Sequence, residues 1–454
     1  MPHLIHAAQA LLPEGWASDV AVGIDQGRIT SVAAGAAPEG ERVAVLLPAP
    51  VNLHSHAFQR AMAGMTERRG PDPRDSFWTW RQLMFRFLDR LTPEDVEAIA
   101  AFVQMEMLEA GYAGVAEFHY LHHRPGGAAY DDLAEMSARI AAAAAETGIG
   151  LTLLPVLYQH GGCDGRALAP GQVRFGNDLN RFSTLLEGAE RALAGLPEDT
   201  ALGLAPHSLR AVSREGLAGT AHLRPGAPIH MHLAEQVAEV DEVSAAWGAR
   251  PVDWLLDHAE VDARWCLIHC TQMLPGETAR LAATGAVAGL CPITEASLGD
   301  GIFDGIRFLA AGGRFGVGSD SNIRISLAEE LRSLEYSQRL RDRGRAMLAE
   351  PARSTGRLLF EGAVAGGAQA AGRPSGAIAP GQWADLLALD GGHVDLEGRI
   401  GDALLDAWIF AGDDRMVRFV WSAGRALVRD GRHAKHDAIT ARYRTTLARL
   451  RDRL

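Results

Sequence analysis

The chain has 454 residues, 47% of them apolar, and a net charge of −12. That length accommodates one large domain with a smaller one beside it, and the acidic balance, with no concentrated basic face, argues against nucleic-acid binding. No apolar run is long enough to span a bilayer, and the N-terminus lacks a basic region followed by an apolar core, so a cytoplasmic protein with no membrane contact is expected.

Residues 20–25, a turn at Gln26-Gly27 and residues 28–32 predict a β-hairpin. Beyond it, apolar, β-rich runs end near His56, His119, Leu157, His207, His232, His269, Pro292 and Asp320. Helical patterns such as 93–110 and 131–147 lie between most of them, and Thr92-Pro93-Glu94-Asp95 reads as a helix start. Eight strands alternating with helices predict an α/β fold, a parallel (β/α)8 barrel over residues 47–370. The stretch 58–91, with Phe77, Trp78, Trp80 and Arg81, is too long for a simple connection and reads as an insertion, often an active-site cover. After the barrel, 376–390 and 417–428 again look like strands with Gly-rich turns. Residues 1–46 and 371–432 are therefore expected to combine into a small β-sandwich domain. Ile439, Tyr443, Leu447, Leu450 and Leu454 share one helical stripe, which predicts a C-terminal helix within 433–454.

Four polar residues or clusters close the apolar runs. In a strand, residues i and i+2 point to the same side, so His54 and His56 can aim both imidazoles at one point. His232-x-x-Glu235, His269 and Asp320 each follow a later run, and barrel active sites are assembled at such C-terminal strand ends. His54, His56, His232 and Asp320 offer three imidazoles and one carboxylate, a set that suits one divalent cation, zinc first, with iron or manganese as substitutes. Zinc brings the pKa of its bound water to about 7. Asp320 could also hydrogen-bond that water and steer its proton. Glu235, three residues beyond His232, suits a proton shuttle to a substrate nitrogen. His269 suits polarisation of the attacked centre.

Lys435 is the only lysine and lies beyond the barrel. A phosphate-binding loop, a barrel Schiff base and a two-metal site bridged by a modified strand lysine are all excluded with it. A bridging carboxylate stays formally open, and one metal is the simpler reading. Cys163, Cys266, Cys270 and Cys291 lack a zinc-knuckle spacing and read as reduced, mostly buried residues. Strand alternation turns His230 away from His232 into the barrel wall. His119 and His207 read equally well as structural or catalytic, and His122 and His123 as members of a polar loop. Asp320 taken alone would read as a helix cap.

Taken together, His54-x-His56, His232-x-x-Glu235, His269 and Ser319-Asp320 resemble the amidohydrolase superfamily, specifically its mononuclear deaminase branch. Gly376-x-Ile378-x-x-Gly381-x-x-Ala384-Asp385-Leu386 resembles that superfamily's β-sandwich segment after the barrel. Within the branch, the run from Asn52 to Gly64 (NLHSHAFQRAMAG) and Ser76-Phe77-Trp78-Thr79-Trp80-Arg81 are similar to the formimidoylglutamate deiminases of histidine degradation. The resemblance implies hydrolysis of N-formimino-L-glutamate to N-formyl-L-glutamate and ammonia, and it suggests a homodimer.

Such a substrate carries two carboxylates and an amidine. Arg binds a carboxylate through two parallel hydrogen bonds, a geometry Lys cannot reproduce. Arg210, just after the fourth strand, and Arg81, in the insertion, are the expected clamps. Gln59, Tyr120 and His207 could add hydrogen bonds near the strand ends, while Arg60 fits a helix or a structural ion pair better. Two other readings stay open. One is a hydrolase of the same superfamily acting on another amidine, a nucleobase or a halogenated triazine. The other is a catalytically inactive barrel with a binding or assembly role, which predicts a lost ligand or shuttle residue where none is lost.

Overall fold

The computed structural model describes residues 3–67 and 77–451, with residues 77–79 as backbone only. Eight parallel strand positions form the barrel. They are Val51–Ser55, Gly114–His119, Gly150–Leu157, a broken fourth strand of Ala201–Leu202 and Ala205–Pro206, then Ile229–Leu233, Trp265–His269, Val287–Leu290 and Arg314–Val317. Nearly every residue in them is buried. The cause is the helical layer outside and the packed interior within, which is why parallel strands read as unbroken apolar runs.

The strands pair as two ladders, the first four and the last four. Isolated bridges join the halves, Leu204 to Ile229 on one side and Ser55 to Asp320 on the other. The last two strands end sooner than the sequence predicts. Pro292 opens a helix, Pro292–Leu298, because its fixed φ and missing N–H suit a first helical position. The eighth strand stops at Val317, and Asp320 lies beyond it in a left-handed conformation, φ 44°.

The helix Pro93–Glu109 begins as expected, with the Thr92 hydroxyl accepting from Asp95 N and the Asp95 carboxylate accepting from Thr92 N. The next helix, Glu135–Thr147, starts four residues later than the periodicity predicts. Asp132 holds residues 132–135 in a turn, its carboxylate accepting from Ala134 N and its carbonyl from Glu135 N.

Both chain ends feed a separate eight-stranded sheet, antiparallel except for the pair His3–Leu12 and Glu41–Pro48. The hairpin Gly15–Asp25 to Arg28–Ala33 turns on Gln26 and Gly27, both at positive φ, the backbone that matches strand twist in a two-residue turn. Of the stretch 376–390, only Leu386–Leu389 is strand; residues 381–384 instead bond back to the edge strand, Ile29 N to Gln382 O and Ala384 N to Gly27 O. The sheet thus folds back over its own core of Ile5, Val22, Ile24, Leu46, Leu386 and Trp421. Its other face, with Val45, Leu47, Leu387 and Leu389, packs into the barrel's core.

Arg373 joins the two bodies. It is buried between Asp199 of the barrel and Asp385 of the sheet, at 2.8 and 2.6 Å, and Arg425 pairs with the same Asp199. The last helix, His436–Arg451, buries Ile439, Tyr443 and Leu450, with the Tyr443 ring stacked on Phe102; Leu454 lies outside the described residues. No helix among the described residues is long and apolar enough to cross a membrane.

Within 58–91, the helix Phe77–Leu88 lies over the barrel mouth. Arg174 anchors its far end, bonding the carbonyls of Leu88 and Leu91 as well as His123 O. His122 and His123 do lie in a loop, but a buried one. Both amides bond Arg174 O, both side chains are buried, and their Nε2 atoms face Val156 O and Gly176 O.

Candidate active site

Period-two alternation brings His54 and His56 to the same side of the first strand end. Asp320 is laid beside them by the barrel's closure, with Asp320 N bonding His54 O and His56 N bonding Asp320 O, both at 2.9 Å. Gly318 permits this approach, since a Cβ there would sit 2.6 Å from His54 N. A buried amide and hydroxyl chain braces the seam. Asn52 Nδ2 donates to Ser319 Oγ at 2.7 Å, Ser319 Oγ to Asn322 Oδ1 at 2.6 Å, and Asn322 Nδ2 to Ser55 Oγ at 3.1 Å. Asp320, Asn322, His269 and Cys270 all have positive φ, a backbone strain that persists only where surrounding bonds over-determine it.

The four expected ligand atoms converge within 4.8 Å of one another, all from buried residues. His54 Nε2 lies 3.1 Å from His232 Nε2 and 3.4 Å from Asp320 Oδ1, and His56 Nε2 lies 3.2 Å from the same oxygen. The donor set fits a cation. His56 Nδ1 bonds Phe118 O and His232 Nδ1 bonds His207 O, which fixes each inward-facing Nε2 as a lone pair, the arrangement of metal-binding histidines. Burial lowers the pKa of all three imidazoles, His54 to about 3, so they are neutral donors at neutral pH. Burial opposes charge on Asp320 too, but the His54 hydrogen bond and the nearby charge of His269 hold its carboxyl well below the usual range.

Beside this cluster, His269 Nε2 faces Glu235 Oε1 at 3.8 Å and Asp320 Oδ2 at 3.9 Å. Its other nitrogen, Nδ1, meets Glu295 Oε1 at 3.2 Å. Burial works against a charged His269, yet Glu235, Glu295 and Asp320 outweigh it and raise the pKa to about 10. Glu235 is raised by burial, against the pull of His269 and of Arg210, whose Nη2 lies 4.0 Å away. Glu239 fixes the Glu235 backbone by accepting from Ala234 N and Glu235 N.

These groups open onto a cavity at the barrel mouth. Gln59, Arg81, Tyr120, His207 and Arg210 all line it, together with Glu235, His269, His56, His232 and Asp320. Gln59 Nε2 donates to Tyr120 Oη at 2.8 Å. Arg60 is instead a structural pair, its guanidinium gripping both oxygens of Glu106. His230 is buried in the wall, bonded to Ala370 O, and His119 is buried without lining the cavity. The side chains of Phe77 and Trp78 lie outside the described residues.

Trp80 of the insertion also lines the cavity; Met84, Tyr158, Phe175 and Leu298 join it without having been expected there, as do Glu239, Glu295, Asn52 and Asn322 behind it. Tyr158 had a signal, because it directly follows the third strand end. Met84 had one too, since it shares a helix face with Trp80 and Arg81 at spacings of four and three. Glu295 had none: an acid in a helix's first turn reads as a cap.

Residues 45–427 match the amidohydrolase family, and residues 2–42 match the N-terminal domain of formimidoylglutamate deiminase HutF. The formimidoylglutamate deiminase of Pseudomonas aeruginosa is 51% identical over 453 residues, which cover 99% of each chain. A crystal structure of an amidohydrolase from Brucella melitensis matches with a TM-score of 0.95 at 51% identity, covering 99% of each chain. An adenosine deaminase from Xanthomonas campestris, solved with bound zinc, has a TM-score of 0.82 at 20% identity over 99% of this chain and 98% of its own, a likeness of fold alone.

Proposed function

The chain belongs to the amidohydrolase family, and from that premise we propose that it hydrolyses N-formimino-L-glutamate to N-formyl-L-glutamate and ammonia. The observation that carries the reading is a single cavity holding a three-imidazole, one-carboxylate cluster, the acid Glu235 and two guanidinium groups, Arg81 and Arg210. The end-to-end likeness to the Pseudomonas aeruginosa deiminase selects the substrate from among compounds with that charge pattern.

His54, His56, His232 and Asp320 would hold one divalent cation, zinc by the borderline character of the three imidazoles, which would supply the Lewis acidity that makes water nucleophilic at neutral pH. Glu235 takes a proton from the attacking water and passes it to the imino nitrogen of the substrate. A carboxyl raised by burial is suited to hold that proton between the two transfers. His269, charged between its carboxylate neighbours, donates from Nε2 toward the oxygen added to the formimino carbon. Asp320 Oδ2, which faces His269 rather than the cluster's imidazoles, helps move the second proton from that hydroxyl to the terminal nitrogen. The C–N bond then breaks and ammonia leaves. Arg81 and Arg210 hold the two carboxylates, with Gln59, Tyr120 and His207 adding hydrogen bonds.

Four unpaired cysteines suit a reducing compartment, and we assign the protein to the cytoplasm and to histidine degradation. The test is ammonia release by zinc-loaded protein from N-formimino-L-glutamate, with N-formimino-L-aspartate and guanine alongside. Release from the glutamate compound alone is expected. Release only from guanine would replace the substrate with a nucleobase.

A further inference from the structure

We infer that Tyr158 is a substrate-binding residue that donates its phenolic hydrogen to the carboxylate held by Arg81. The inference rests on the reading above, in which the substrate carries carboxylates and Arg81 grips one of them.

Tyr158 directly follows the third barrel strand, Gly150–Leu157, and its side chain lines the cavity. Its ring is buried and wedged between His207 and Phe175, with ring centres 4.5 and 5.5 Å away. Its backbone is pinned as well, Asn177 N bonding Tyr158 O at 3.0 Å. The hydroxyl therefore occupies a fixed place.

Two groups that can only donate reach that hydroxyl oxygen. Arg81 Nη2 lies 2.9 Å away and Gln172 Nε2 lies 2.8 Å away. A guanidinium has no acceptor. The Gln172 amide is also fixed in orientation, because its Oε1 accepts from Ala169 N at 2.9 Å. A phenol oxygen has two lone pairs and one hydrogen, so both lone pairs are taken and the hydrogen must point in a third direction. Among the described residues no protein acceptor is bonded to it. Tyr158 lines the cavity, so we take that third direction to open into it.

Accepting two bonds, one from a cation, polarises the O–H and makes it a stronger donor. The result is a pre-oriented donor beside a guanidinium, with no acceptor bonded to it among the described residues. A carboxylate matches it: it accepts only, and when paired with Arg81 it keeps spare lone pairs for a second donor. Gln172 acts through the phenol and is a positioning residue.

The test compares ammonia release from N-formimino-L-glutamate by the wild type, Tyr158→Phe, Gln172→Leu and Arg81→Met proteins, and by the Arg81→Met/Tyr158→Phe double variant. For Tyr158→Phe, KM should rise about tenfold or more while kcat stays within about threefold, as expected when a bond to a charged group is lost equally from ground and transition states. Gln172→Leu keeps the phenol and should raise KM less; an equal or larger rise would mean the segment merely props the wall, and overturns the inference. In the Arg81→Met background, Tyr158→Phe should raise KM further. No further rise would mean that Tyr158 serves only to hold Arg81, and overturns its direct contact. No release by the wild type overturns the substrate reading and this inference with it; release by the wild type with an unchanged KM in Tyr158→Phe overturns the inference alone.

Discussion

Glu295 holds His269 from behind, its Oε1 lying 3.2 Å from His269 Nδ1. The same oxygen accepts from Cys291 N at 2.8 Å, so the carboxylate is anchored to the end of the seventh strand while it orients the imidazole at the end of the sixth. Outer partners of this kind fix tautomer and ring direction. Glu295→Ala should lower kcat by about 10- to 100-fold, the usual cost of losing such a partner, with KM little changed. Glu295→Gln, which keeps an acceptor, should recover most of it.

The same contact predicts a pH effect. Although burial opposes it, the carboxylates around His269 raise its pKa to about 10. The raised value means that its charge adds stability fully below the unfolded value of about 6.5, and that this contribution fades as pH climbs through the folded value. Removing the negative charge in Glu295→Gln lowers the folded value. The alkaline limb of the kcat/KM profile should move to lower pH in that variant, and an unmoved limb would remove Glu295 from control of His269.

Glu235→Gln should keep its metal and lose about 100- to 10,000-fold in turnover, the range for a positioned general acid or base. Metal content by atomic emission and turnover by ammonia release separate the two effects. Near-normal turnover would sink the shuttle role.

Asn52→Ala breaks the link between Ser319 and the strand that carries His54 and His56. Metal affinity should fall by about 10- to 100-fold, as for other supporting residues around ligands. Competition against a chromogenic chelator reads this without reference to activity.

Arg373→Met leaves Asp199 and Asp385 buried, with Arg425 still beside Asp199 but no cation left on Asp385. Breaking a buried pair from one side costs about 3–5 kcal/mol, so the melting temperature should drop clearly while KM stays unchanged. A melting point like the wild type's would show that the network contributes little.

What the sequence made legible follows from how far each signal reaches along the chain. His54 and His56 are two residues apart in a strand, and His232 and Glu235 three apart at a strand's edge, so local periodicity exposes them. Asp320 was legible as a polar end, but its left-handed backbone was not, because the first strand imposes it from across the barrel seam. The loop of His122 and His123 is legible in its polar residues, but its burial is not, because the distant segment 174–177 closes over it and accepts from both amides. Tyr158, Gln172 and Arg81 come from three separate segments whose meeting no local pattern announces.

The two ladders of the barrel divide the cation site between them. His54 and His56 stand on the first half, while His232 and Asp320 belong to the second, and isolated bridges together with the Asn52–Ser319–Asn322–Ser55 chain join the halves. A nascent chain with one half formed therefore offers two ligands, too few to retain a metal ion tightly. A cation held by all four side chains would be bound only where the two halves have closed on each other.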